Sequence, residues 1–100
     1  MRQEVQVTML QIRYKFKKQD ITLDAEARLS APRQARDDST SAPWDIHVTL
    51  MWGDQVLFDR PLAGMDPLHA IHLAAQFAAN YLHDRAKDEG GCLEPEIFRI

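Results

Sequence analysis

Cysteine is nearly absent from this chain. Cys92 is the single one in 100 residues, so no intrachain disulfide can brace the fold and nothing points to an oxidising compartment. Long apolar runs are missing too, since no window approaches the roughly 18 consecutive apolar residues that a membrane helix needs. The N-terminal "MRQEVQVTML" alternates polar with apolar residues and lacks the apolar centre of a signal peptide. Together these absences predict a cytoplasmic protein with no membrane partner. Positive charge is also in deficit: 12 Lys and Arg stand against 15 Asp and Glu, giving a net charge of −3 and a pI near 5.7. Binding held by phosphate contacts draws most of its affinity from excess Lys and Arg, so no nucleic-acid partner is expected.

The motifs of catalysis are missing as well. There is no G-x-S-x-G, P-loop, dinucleotide glycine pattern, C-x-x-C or EF-hand loop. Cys92 follows Gly90 and Gly91 in what reads as a loop, beside Glu94 and Glu96, and a reactive thiolate needs positive surroundings instead. Ser39, Thr40 and Ser41 fall in a stretch without periodicity, a poor place for a preorganised nucleophile. No catalytic residue, cofactor or metal is therefore expected, and the length suits a single domain, residues 1–100, with one core.

What the chain does contain is alternation. Val5, Val7 and Met9, then Leu10, Ile12, Tyr14 and Phe16, follow a period of two that changes phase between Met9 and Leu10, as a β-bulge would make it. Ile21 to Leu29 alternate cleanly, and the two segments read as an antiparallel hairpin. Residues 31–43 read as a loop. Trp44 to Trp52 alternate again, and the "GD" at 53–54 separates them from "QVLFDRPL", a short strand closed by Pro61 with Gly53 in the turn. Arg13, Lys15 and Lys17 fall on one face of the first strand and Tyr14 and Phe16 on the other, which separates cations from aromatics and does not suit base stacking. Trp44 and Trp52 read as core or rim.

Asp66-Pro67 begins a helix, with Asp able to cap the first amides and Pro suited to the first turn. The helix is expected to reach about Lys87, where Gly90-Gly91 ends it. Its arc Leu68, Ile71, Ala75, Ala78, Ala79, Leu82 and Ala86 is expected to meet the sheet. Leu73, Ala74, Phe77 and Tyr81 widen the arc to about two-thirds of the circumference, more than the roughly 100° that docking on one sheet requires. Leu73, Phe77 and Tyr81 are therefore the expected partner-binding residues, for another protein or for a second copy in a homodimer, in which the first strand's edge could also pair. A folded-back tail with Ile97, Phe98 and Ile100 is the alternative cover. His69, His72 and His83 lie on the polar strip with Gln76, Asn80 and Lys87. His69 and His72 are three apart but lack the Glu of the zincin motif, so a third ligand would have to come from elsewhere. The fold class expected is α+β: an antiparallel four-stranded meander on one long C-terminal helix, followed by a short tail or strand.

The stretch "LAGMDPLHAIHLAAQFAANYL", residues 62–82, resembles a family of small bacterial proteins grouped under a domain-of-unknown-function heading, number 6968, in which a hairpin-rich part leads to Gly-x-Asp-x-Leu-Gln-Ala-Leu and an Ala/Leu-rich helix. Gly64, Asp66, Leu68 and Ala70 fall on that pattern, while His69 stands for Gln, Ile71 for Leu, and Pro67 is an addition. The resemblance covers about a fifth of the chain and implies an α+β fold without implying an activity. The layout is also similar to that of immunity proteins that neutralise bacterial toxins, a likeness of fold alone. The expected function is thus a small non-enzymatic protein-binding module, immunity-type or accessory. The alternative is a small metal-dependent hydrolase using His69 and His72 with Asp66.

Overall fold

A computed structural model describes residues 8–34 and 43–99. The expectations for Val5 and Val7, for Ser39, Thr40 and Ser41, and for Ile100 lie outside the described residues. The elements are β1 (Thr8–Lys18), β2 (Ile21–Ser30), β3 (Arg33–Gln34), β4 (Trp44–Trp52), β5 (Gln55–Gly64), α1 (Pro67–Asp88) and β6 (Cys92–Glu94). The fold is α+β, and the described residues form a six-stranded antiparallel sheet packed against one helix.

Every pairing in the sheet is antiparallel. β5 occupies one whole edge of β4, from Trp44↔Gly64 to Trp52↔Gln55. The other edge is shared by β2, through Val48–Trp52, and β3, through Trp44 and Asp45. β1 lies outside β2, and β6 outside β1 at Lys15–Lys17. The long strands thus form the expected meander β1-β2-β4-β5, to which β3 and β6 are additions. β3 lies in the stretch read as loop, where two paired residues are too few to show a period. Cys92 opens β6 rather than standing in a loop.

β5 does not close at Pro61 but runs on to Gly64, with Pro61 opposite His47. A proline removes one donor, which an edge strand tolerates because half of its amides have no neighbour to reach. The irregularity expected after Met9 is present, between Thr8 and Leu10. Gly53 takes φ of 59° in the β4–β5 turn, a conformation that glycine adopts without steric cost.

α1 begins as the Asp-Pro pair suggested. Asp66 is the N-cap, its carboxylate accepting from the amide of His69 at 2.9 Å, and Pro67 starts the first turn. At the other end Gly90 has φ of 77° and its amide donates to the Lys87 carbonyl. The helix carries the chain from one edge strand, β5, to the opposite one, β6. Its 22 residues span about 33 Å, ample for the roughly 19 Å across five strands.

The face that α1 buries differs from the expected one. Ala70, Ala74, Ala78, Leu82 and Ala86 are buried, whereas Leu68 is 77% exposed. At 100° per residue the buried row lies roughly 50° away from the arc read from the sequence. That row advances by four residues at each step, so it climbs obliquely along the helix and suits a helix crossing its strands on the diagonal. Four of its five members are alanine, which lets the helix approach the buried row of β4, Ile46, Val48, Leu50 and Trp52. Trp52 contributes core, with its ring centroid 4.7 Å from that of Phe16, and the Arg85 guanidinium lies over it at 5.7 Å. The tail follows both alternatives. Cys92–Glu94 pair with β1, and Ile97 packs against the core, but Phe98 is 72% exposed and adds no apolar contact there.

Candidate functional site

The helix has two apolar flanks, and the sheet treats them differently. Leu73, Phe77 and Tyr81 lie on the flank toward β5. The Phe77 ring meets Phe58 with centroids 4.4 Å apart, and Tyr81 lies 5.6 Å from Phe77 and 6.5 Å from Phe58. The Tyr81 hydroxyl donates to the Leu57 carbonyl at 3.3 Å. β5 therefore supplies cover for part of the arc that looked too wide for one sheet. Leu73, Phe77 and Tyr81 each remain half-buried, so the flank is fixed in shape while part of it still faces outward.

On the opposite flank the helix leaves the sheet open. α1 lies over β4 and β5 and meets β2 only lightly. Between the helix and the first half of β1 runs an apolar groove of about 200 Å³, lined by Leu10, Ile12 and Tyr14 from β1, Leu29 from β2, Ala75 and Ala79 from α1, and Ile97 from the tail. Burial here pushes the Tyr14 phenol above its usual value of 10.0 by penalising the charged form.

The far face of the sheet is polar. Lys15 pairs with Asp24, Lys17 with Glu94 at 2.9 Å, and Glu26 receives Arg28 at 3.3 Å and Arg13 at 3.9 Å. Each cation of "RYKFKK" at an odd position thus has an acidic neighbour, and Phe16 is buried on the other side of the strand. Pairs this exposed contribute little stability individually.

One polar cluster on this face was not apparent from sequence. His47 Nε2 meets the Asp59 carboxylate, Thr49 donates to the same oxygen at 3.2 Å, and the His47 amide donates to Ser30 Oγ at 2.8 Å. The Ser30 hydroxyl in turn donates to the Ala31 carbonyl. Ser30 therefore contacts the histidine's backbone rather than its ring, which is not the hydrogen bond that activates a nucleophile. The hydrogen bond from His47 chiefly, and that from Thr49, hold the Asp59 carboxyl below its usual 3.8. A depressed carboxylate contributes stability above its unfolded pKa and loses it as pH falls through the lower folded value. NMR titration should accordingly give Asp59 a midpoint below 3.8, returning toward 3.8 in His47→Ala; an unshifted midpoint in the parent chain would show that the pair does not persist in solution. The signal was available in principle, because Thr49 and Asp59 face each other across β4 and β5, but it required the register of that pairing, which shifts between Leu50 and Met51.

The histidines of α1 have local roles. His69 Nδ1 accepts from the Met65 amide at 2.9 Å, and its own amide is the one capped by Asp66. Both residues are thus engaged in closing the first turn. His72 is exposed, and His83 contacts Asp84 at 3.1 Å. The described residues contain no group of three or more His, Cys, Asp or Glu placed to hold a metal ion. Cys92 is exposed, with Sγ 3.9 Å from the Lys17 carbonyl. No described helix is long and apolar enough to cross a membrane. In comparison with known proteins, the chain matches no family model, no curated protein and no solved structure.

Proposed function

We propose that this chain is a small non-enzymatic binding module, immunity-type or accessory, that presents a preformed surface to another protein. The observation carrying this reading is the aromatic flank. Phe58, Phe77 and Tyr81 hold one another in place, so the surface is set before a partner arrives and little ordering entropy remains to be lost on binding. Aromatic side chains in such fixed settings are the usual anchors of protein interfaces. The net charge of −3 favours a partner with a basic surface, such as a nuclease toxin, because complementary fields speed encounter and disfavour wrong partners.

Leu73 provides the cleanest test, because it shares the flank but does not belong to the core cluster or to the side chains packed against it. A protein captured from a lysate of the source cells, once purified, should bind Leu73→Asp at least about tenfold more weakly than the parent chain. Circular dichroism should show the variant folded. Equal binding by both proteins would remove the flank as the interface.

A further inference from the structure

The two edges of the sheet are unlike. β5 carries Pro61 in its second half, next to Asp59 and Arg60, and proline and charge are the features that discourage an edge from pairing. On the other side β6 covers β1 only at Lys15–Lys17. Between that cover and the irregularity at Met9, Leu10–Tyr14 leave one edge of β1 unpaired among the described residues. Arg13 is the sole charge on this segment. On its helix-side face Leu10 is 42% exposed, and Leu10, Ile12 and Tyr14 all line the apolar groove.

We propose that this edge pairs with the same edge of a second copy, antiparallel about a two-fold axis at Ile12, joining two sheets into one. The proposal rests on the reading of the chain as a binding module and adds its own copy as a partner at a second surface. The occupant follows from the order of side chains, which is self-complementary when reversed. Leu10 then stands opposite Tyr14, Gln11 opposite Arg13, and Ile12 opposite its own copy. All three helix-side pairs are apolar, and the register keeps each on that face, where a slip of one residue would turn them to the polar side. On the outer face Arg13 meets an amide rather than another cation, and Glu26, which already accepts from Gln11 and lies 3.9 Å from Arg13, sits beside both. β6 reaches Glu94, opposite Lys15, and beyond Pro95 the tail turns to the helix side, where Ile97 lines the groove and Arg99 meets Asp84 at 3.3 Å, so no described residue pairs with this edge from Tyr14 back to Leu10. A pairing of five residues is short, which places this association at the weak, reversible end of interfaces.

Sedimentation of the full chain across micromolar concentrations tests this. The mass is expected to rise from 11.5 kDa toward twice that value, and Ile12→Lys, which sets like charges against each other on the axis, is expected to keep the monomer mass while remaining folded by circular dichroism. A second measurement does not depend on that variant folding. Residues directly opposite in an antiparallel pair bring their Cβ atoms to about 4.5–5.5 Å, close enough for a disulfide to form with slight adjustment. Ile12→Cys with Cys92→Ser should therefore oxidise to a covalent dimer far faster than Ile21→Cys with Cys92→Ser, whose cysteine is exposed at the far end of the hairpin. A mass fixed at 11.5 kDa throughout overturns the dimer. A dimer that is indifferent to Ile12→Lys, or equal crosslinking at positions 12 and 21, overturns this edge as its interface. None of these results bears on the aromatic flank, whose binding is read separately with Leu73→Asp.

Discussion

Replacing Gly64 by alanine is expected to lower the melting temperature by about 15 °C. The added Cβ would lie 2.5 Å from the amide nitrogen of Ala70 and 2.6 Å from its Cα. These are backbone atoms in the first turns of α1, so relief cannot come from rotating a side chain; β5 and the helix must separate. Overpacking costs about 1–3 kcal/mol, occasionally more, and a clash with backbone belongs near the upper end. The smaller entropy of the unfolded chain returns only about 0.4–1 kcal/mol of this. Gly53 supplies the control, because an added Cβ there meets nothing within 4 Å and the difficulty is solely its φ of 59°. Gly53→Ala should cost only about 1 kcal/mol. Thermal melts of the two variants separate the causes, and equal losses would rule out close approach as the reason for glycine at position 64.

The same contact gives physical meaning to the residues that resemble Gly-x-Asp-x-Leu-Gln-Ala-Leu. Gly64 lets β5 pass against Ala70, Asp66 caps the helix, and Ala70 is fully buried beneath it. Leu68 has no such role, being 77% exposed. Three of the four matching positions thus serve the β5–α1 junction. They specify how the helix is launched onto the sheet and do not by themselves describe a site.

Alternation in β2 and β4 was legible because each of these strands has one wet face and one buried face, so the period of two is undisturbed. The helix ends were legible because Asp66, Pro67 and Gly90 act through their own backbone and side-chain chemistry. The rotation of the helix was not. Ala70, Ala74, Ala75, Ala78 and Ala79 offer several alanine faces of nearly equal hydropathy, and which of them meets the sheet is decided by the diagonal crossing from β5 to β6, a property of topology. For the candidate surfaces, sequence identified Leu73, Phe77 and Tyr81 as one strip of the helix but could not supply Phe58, 19 positions before Phe77, as its neighbour. The groove beside β1 was equally hidden, since it exists only because α1 lies over β4 and β5.

Leu50→Ala is expected to cost about 3–4 kcal/mol, a substantial part of the roughly 5–15 kcal/mol that holds a small domain together. Leu50 has no exposed surface. It stands opposite Ala27 on β2 and Phe58 on β5, so its side chain lies in the row where the central strand meets both neighbours beneath the helix. The loss combines the transfer of the removed atoms with the cavity they leave, and it is largest where the surroundings cannot collapse. Ala27 is too small to fill the space. Phe58 is held by the Phe77 and Tyr81 rings, and the four buried alanines of α1 have no longer side chain to move inward. Any inward shift of Phe58 would also disturb the aromatic flank, so chemical denaturation of Leu50→Ala should be accompanied by weaker near-ultraviolet dichroism in the native baseline. Val56→Ala, at a position 55% exposed on the edge strand, should fall within about 0.5 kcal/mol of the parent chain. A Leu50→Ala loss as small as that of Val56→Ala would mean that the centre of β4 is not the core of this fold.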